Sequence, residues 1–194
     1  MAELMDNGGP YNPDRRYEDF SKEFLIKLLK AYQRAYILLE GFWGTEVKNT
    51  GKLDEEDIIN CEVGVWTRIA NTVQTGIAEL SNIELPVKDV VEALKVWQIQ
   101  PDASINPDVF LSKADIIDNN HVIFTLLRCR SLEWLEKHTP ERIEPICHGL
   151  EVAAYQAYCS ALHPDMTMRP LKLPPRQSKD EIACQWEIKL EPKL

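Results

Sequence analysis

The sequence predicts an α+β fold: N-terminal helices followed by a small antiparallel sheet of about four strands, in two hairpin-like pairs, with a helix packed on it. Three observations predict this. Apolar residues recur every three or four positions through the first half. Two β-rich runs flank Asp118-Asn119-Asn120. Near the end, Glu181 to Leu190 alternates between apolar and polar residues.

Residues 1–16 contain Asp6, Gly8, Gly9, Pro10, Pro13 and Asp14 and no apolar central segment. They read as a flexible N-terminal arm and not as a secretory signal. Residues 17–194 then read as one α+β domain, a length that suits a single core. Its first helix carries Leu25, Leu28, Leu29, Tyr32, Tyr36 and Leu39 on one face, with Ser21 as the cap and Gly41 and Gly44 at the end. The acidic run Asp54-Glu55-Glu56-Asp57 opens the second helix, because carboxylates favour a helix N-terminus. Its stripe is Ile59, Val63, Trp66, Ala70, Val73, Ile77 and Leu80, spaced alternately by four and three. Pro86 opens a third helix to about Trp97. Residues 98–107 hold two prolines and read as a loop, a candidate seam between two halves of the fold.

Val109 to Ile117 and His121 to Cys129 read as a hairpin, since Asn and Asp tolerate the left-handed backbone of tight turns; a helix is the alternative over 109–117. Ser131 to His138 is helical. Thr139-Pro140 caps a further turn, Pro145 restarts the helix, and Pro164 stops it after His163. Prolines 170, 174 and 175 imply an edge strand and a loop. In the last strand Cys184, Trp186, Ile188 and Leu190 share one face.

The chain carries a formal net charge of -9 and no basic stripe, which argues against nucleic-acid binding. No apolar run approaches the ~20 residues that span a bilayer. Five cysteines without a secretory signal, and no CxxC pair, suit reduced thiols in a cytoplasm. No nucleotide-binding or hydrolase motif is present.

Chemistry then concentrates in the second half. Cys184 sits on the apolar face of its strand. Cys147 lies on the helical stripe Ile143, Cys147, Leu150, Ala154, with Glu151 one turn further on. Cys129 ends the hairpin beside Arg130. Three thiols meeting under one helix end suit a nucleophile or a soft metal ion such as zinc held by Cys129, Cys147 and Cys184. Free cysteines are also among the most buried residue types, so plain core packing remains open. Cys61 and Cys159 read as packing residues. Arg130 suits a carboxylate fork. Trp43, at a helix end, and Trp186 read most simply as core residues and are also candidates to line a ligand site. His148 points about 100° away from Cys147 around a helix, which makes a poor Cys-His pair.

These residues carry a resemblance. Cys129-Arg130, Cys147 with Gly149 and Glu151, His163-Pro164-Asp165, Pro174-Pro175 and Cys184-Gln185-Trp186-Glu187 occur in an order that resembles the L-2-amino-thiazoline-4-carboxylic acid hydrolase-like family. Glu40-Gly41-Phe42-Trp43 and Val65-Trp66 resemble features of its uncharacterised sister group of small proteins from anaerobic bacteria and archaea. The sister group tends to carry a cysteine near its Pro-Pro segment, which Leu171-Lys172-Leu173-Pro174-Pro175 lacks. The resemblance implies a cytoplasmic protein with a cysteine-lined small-molecule pocket. It points to hydrolysis of a C–N bond in a small anionic or sulfur-containing substrate. There Cys147 or Cys184 would act as nucleophile, Glu151 as acid/base and Arg130 as anchor. Two alternatives stand beside it: a non-catalytic module for a metal, cofactor or hydrophobic metabolite, and a structural subunit of a larger complex, an oligomer being compatible with either.

Overall fold

The computed structural model describes residues 4–6, 13–100 and 109–191. The chain divides into two compact units, Met1–Trp43 and Gly44–Leu194.

In the first unit the Ser21 N–H donates to the Met5 carbonyl at 2.9 Å and the Met5 N–H to the Asp19 carbonyl at 3.0 Å. A 3-10 turn at Tyr17–Asp19 precedes α1 (Lys22–Asn49). Ser21 caps α1 as expected, its Oγ accepting the Phe24 N–H at 3.1 Å. The expected stop at Gly41 and Gly44 does not occur. Each glycine costs a helix interior only about 1 kcal/mol, too little to break a helix of this length. The chain turns after Asn49, where Gly51 takes a φ of 62°. Leu29, Tyr32 and Leu39 are exposed, so their spacing set a helix without burying its face.

The second unit begins within α1. Its α2 (Glu55–Leu80) is capped by Asp54, whose carboxylate accepts the Asp57 N–H at 2.9 Å. Ile59 and Ala70 are buried, and Trp66 and Ile77 pack on the core. Leu80, at the end of the expected stripe, is 83% exposed. The helix α3 (Val90–Trp97) starts four residues later than Pro86 suggested. Its start is set by Asp89, which accepts the Glu92 N–H at 2.7 Å. Pro86 instead follows a cis peptide bond. Most of the seam expected at 98–107 lies outside the described residues.

After it come β1 (Phe110–Asp118) and β2 (His121–Cys129), then α4 (Arg130–His138). Thr139 does not cap the 3-10 turn Pro140–Arg142: among the described residues its buried Oγ1 has no partner. The run from Pro145 opens as a π-helical turn, Pro145–Leu150, before α5 (Glu151–Leu162). Two strands close the fold, β3 (Met166–Lys172) and β4 (Cys184–Leu190).

The sheet order is β1-β2-β4-β3, antiparallel throughout. Both hairpin-like pairs are therefore present, and the edge strand containing Pro170 is where proline tolerates a missing donor. The inner face buries Val122, Met166, Met168, Trp186, Ile188 and Leu190. Fully burying a side chain such as Ile188 contributes about 1.5–3 kcal/mol. The helices α3 and α5 lie on that face, and α2 packs on both of them. On the outer face Glu187 accepts from Arg169 Nη2 at 2.6 Å and approaches His121 Nε2 at 3.0 Å. Its bonds to Arg169 and then Lys189 hold its carboxyl down to about 2. Among the described residues, no helix is long and apolar enough to cross a membrane.

Candidate functional site

The structure brings Cys129, Cys147 and Cys184 onto one apolar cluster, built on Leu126, Leu132, Leu135, Ile143 and Ala183. Each arrives by a different local device. Cys184 is there by strand alternation, and Trp186 on the same face donates its indole N–H to the Cys184 Sγ at 3.1 Å. Cys147 lies within the π turn, one residue type of the stripe whose Ile143, Leu150 and Ala154 are all buried. Cys129 depends on a β-bulge. Leu126 faces Ser112 and Arg128 faces Leu111, which leaves Leu127 as an extra residue. Without the bulge, alternation from Leu126 would turn Cys129 outward; with it, Cys129 pairs with Phe110 and both pack on the cluster. Its Sγ then caps α4 by accepting the Leu132 N–H at 3.4 Å.

The electrostatics of this group oppose thiolate chemistry. Burial pushes the Cys129 thiol up to about 12, ahead of the charges of Glu151 and Cys184, although the Leu132 N–H works the other way. Burial and Glu151 likewise push Cys184 up to about 12, against the indole of Trp186. Burial, then Glu151, raises Cys147 further still. Such thiols stay protonated near neutral pH, and the thiolate is the nucleophile and metal ligand. Among the described residues, no set of three His, Cys, Asp or Glu side chains is arranged to hold a metal ion.

Beside the cluster is a cavity of about 280 Å³. Its floor is the inner face of β1 and β2, with Phe110, Ser112, Ala114, Phe124 and Leu126. Its walls are Leu94 and Trp97 of α3 and Tyr155 and Tyr158 of α5, with Gln98 and Gln100 at the end of α3. Phe110, Phe124 and Leu126 touch both the cavity and the cysteine cluster. None of the three cysteines is among the residues lining it.

Local structure fixes these walls. The α3 N-terminus is held by the hairpin turn, since the Val90 N–H donates to the Asn119 carbonyl at 2.9 Å. That contact and the Asp89 cap set where Trp97 stands two turns later. Tyr155 is set edge-on against Trp186, with ring centroids 4.8 Å apart. Beneath α3, Gln74 of α2 is fully buried and its Nε2 donates to the Gln100 Oε1 at 2.7 Å. Among the described residues, the buried Trp97 Nε1 and Gln74 Oε1 have no partner. The sequence pattern did not single out Trp97 and Gln100, which line the cavity. A signal for Gln74 existed: it falls four residues after Ala70 and four before Ala78, the buried side of α2.

The other candidates fall elsewhere. Arg130 is exposed at the start of α4, and its backbone N–H donates to the Val109 carbonyl at 3.0 Å. Trp186 is 1% exposed and forms core. Trp43 is 43% exposed and belongs to the first unit. Cys159 is buried as expected, whereas Cys61 is exposed on α2 and packs no core. His148 contacts the Pro174 carbonyl through Nε2 and makes no pair with Cys147.

A second polar group lies where α1 meets α2 within the second unit. Arg142 is paired with Glu55 and approaches Glu62 at 3.6 Å. A Cβ at Gly44 would sit 2.5 Å from the Glu62 Oε1, so the buried carboxylate would have to shift to admit it. Burial raises the Glu62 carboxyl above the usual range, against the pull of Arg142.

No curated protein and no solved structure matches the chain. A family model described as a family of unknown function, DUF6125, matches residues 18–190.

Proposed function

We propose that this chain, which belongs to the DUF6125 family of unknown function, binds a small, largely apolar molecule between α3, α5 and the inner face of the sheet. The cavity of about 280 Å³ carries this reading. It is concave, walled mainly by apolar and aromatic side chains and furnished with few polar groups, the usual character of a small-molecule site. Poorly ordered water against such walls is displaced favourably by an apolar group. Among the described residues of the lining the one cation, Lys113, is half exposed and paired with Asp115 at 2.8 Å. An anionic substrate therefore finds no buried anchor there, and Arg130 does not line the cavity.

Thermal unfolding against a set of small aromatic probes tests the proposal. A probe at 100 times its Kd stabilises by about 2.7 kcal/mol, or roughly 5–10 °C for a chain of this size. Ala114→Trp, which fills the floor, should abolish the shift. Unchanged melting with every probe, or an undiminished shift in the filled variant, would overturn it.

Cysteine-dependent C–N hydrolysis, which the resemblance implies, is the second reading. It is supported by the convergence of Cys129, Cys147 and Cys184 beside the cavity wall. It needs a thiolate that burial and Glu151 disfavour at all three positions. Iodoacetamide near neutral pH separates the two. Binding without thiol chemistry leaves the three unlabelled until unfolding, whereas rapid, ligand-protected labelling of Cys147 or Cys184 would favour hydrolysis.

A further inference from the structure

We infer that α1 pairs with α1 of a second copy of this chain, antiparallel, to form a symmetric dimer along a heptad seam that runs from Lys22 to Glu46. None of the seam residues lines the cavity.

Spacing gives the seam. The helix α1 is continuous over Lys22–Asn49, and Leu25, Leu29, Tyr32, Tyr36, Leu39 and Trp43 follow one another alternately by four and three. That is the repeat on which two helices interlock. With its charged ends the seam is about 36 Å long. Exposure leaves it to another chain. Ile26, Leu29, Tyr32, Leu39, Phe42 and Trp43 leave 43% to 69% of their surface to solvent, Ile26 and Phe42 bordering the seam on its two sides. Aromatic side chains carry about 150–250 Å² each and aliphatic ones about 100 Å², so this face holds roughly 500 Å² of accessible apolar surface. A patch of that size marks an interaction site. Two copies bury about 1,000 Å², the area at which a specific interface becomes stable.

Charge gives the partner and its direction. The same spacing places Lys22 three residues before Leu25 and Glu46 three after Trp43. The seam therefore begins on a cation and ends on an anion, both exposed. Antiparallel pairing sets Lys22 against the partner's Glu46 at both ends. Between those ends it layers Leu25 on the partner's Trp43, Leu29 on the partner's Leu39 and Tyr32 on the partner's Tyr36. Parallel pairing would set lysine on lysine and glutamate on glutamate, repelling at both ends. The two-fold axis repeats every antiparallel contact, so the patch is complementary to itself, and the end charges fix its register. Another protein would have to reproduce this spacing and charge order, whereas a second copy already carries both.

Sedimentation of the full chain over a range of concentrations tests this. A dimer is expected, reverting to monomer in Leu39→Glu, an exposed position at which far-UV circular dichroism should stay unchanged. Lys22→Glu and Glu46→Lys should each weaken the dimer about tenfold, since each sets like charges together at both ends. The double variant Lys22→Glu/Glu46→Lys should restore it. If Leu39→Glu does not fold, the charge variants still decide. A natural chain that stays monomeric throughout, including one that binds anionic lipid vesicles through α1 instead, overturns the proposal. So does a dimer that folded Leu39→Glu leaves intact. A dimer that neither single charge variant weakens overturns the antiparallel pairing.

Discussion

Gly44 shows how one missing carbon can hold a buried charge in place. An added Cβ would meet the Glu62 Oε1 at 2.5 Å, and overpacking of this kind costs about 1–3 kcal/mol. Against that stands about 1 kcal/mol of helix propensity gained from alanine. Gly44→Ala should therefore lower stability in the natural chain and raise it in a Glu62→Ala background. A double-mutant cycle by urea unfolding should return a coupling above 1 kcal/mol; simple additivity would refute the contact. Cys129 is a second such case. Its Sγ caps α4, so Cys129→Ser should hold stability where Cys129→Ala loses about 0.5–2 kcal/mol. Legibility at this scale differed among the three thiols. Cys184 was visible from period-two alternation and Cys147 from its helical stripe. Cys129 was not, because its direction depends on the extra residue Leu127 in the pairing of two strands. Trp97 was visible only as an apolar residue, since whether an indole finds an acceptor is decided by side chains distant in sequence.

Elements were read well where a local signal decides them. Asp54 and the hairpin turn at Asn119-Asn120 speak through short-range hydrogen bonds, and the structure has both. The start of α3 was misplaced because proline suits a first helical turn without requiring one, and Asp89 three residues later supplied the cap. The π turn at Pro145–Leu150 leaves no mark in apolar spacing, since it changes the ladder of backbone bonds more than the order of buried residues. Two contacts anchor α3, the Asp89 carboxylate and the Asn119 carbonyl. Asp89→Ala should cost about 0.5–2 kcal/mol. Because Trp97 ends the same helix, that variant should also weaken binding of a small aromatic probe, as measured by calorimetry. Unaltered affinity would separate the cavity from its supporting helix.

For the molecule as a whole, the α+β layering followed from patterning, while the cavity did not. An unfilled space belongs to no residue; it arises because α3, α5 and the β1–β2 floor meet around it. Buried thiols add a pH dependence. Cys129, Cys147, Cys159 and Cys184 are all raised by burial from an ordinary value near 9. Folded thiols keep protons that unfolded ones surrender, so their contribution is intact below about pH 9. It is lost as pH rises toward about 12, at up to about 1.4 kcal/mol per pH unit for each thiol. Urea melts from pH 8 to pH 10.5 should show this fall, and Cys147→Ala with Cys159→Ala should lessen its slope, Cys129 and Cys184 carrying the rest; a flat natural profile would contradict the burial. The bond from the Trp186 indole to the Cys184 sulfur also has an optical consequence. A thiol in contact with an excited indole drains its emission, so Trp186 should emit weakly while β4 keeps its place. The fold therefore carries its own lamp, switched off when the sheet is assembled. Cys184→Ala should light it without unfolding the chain.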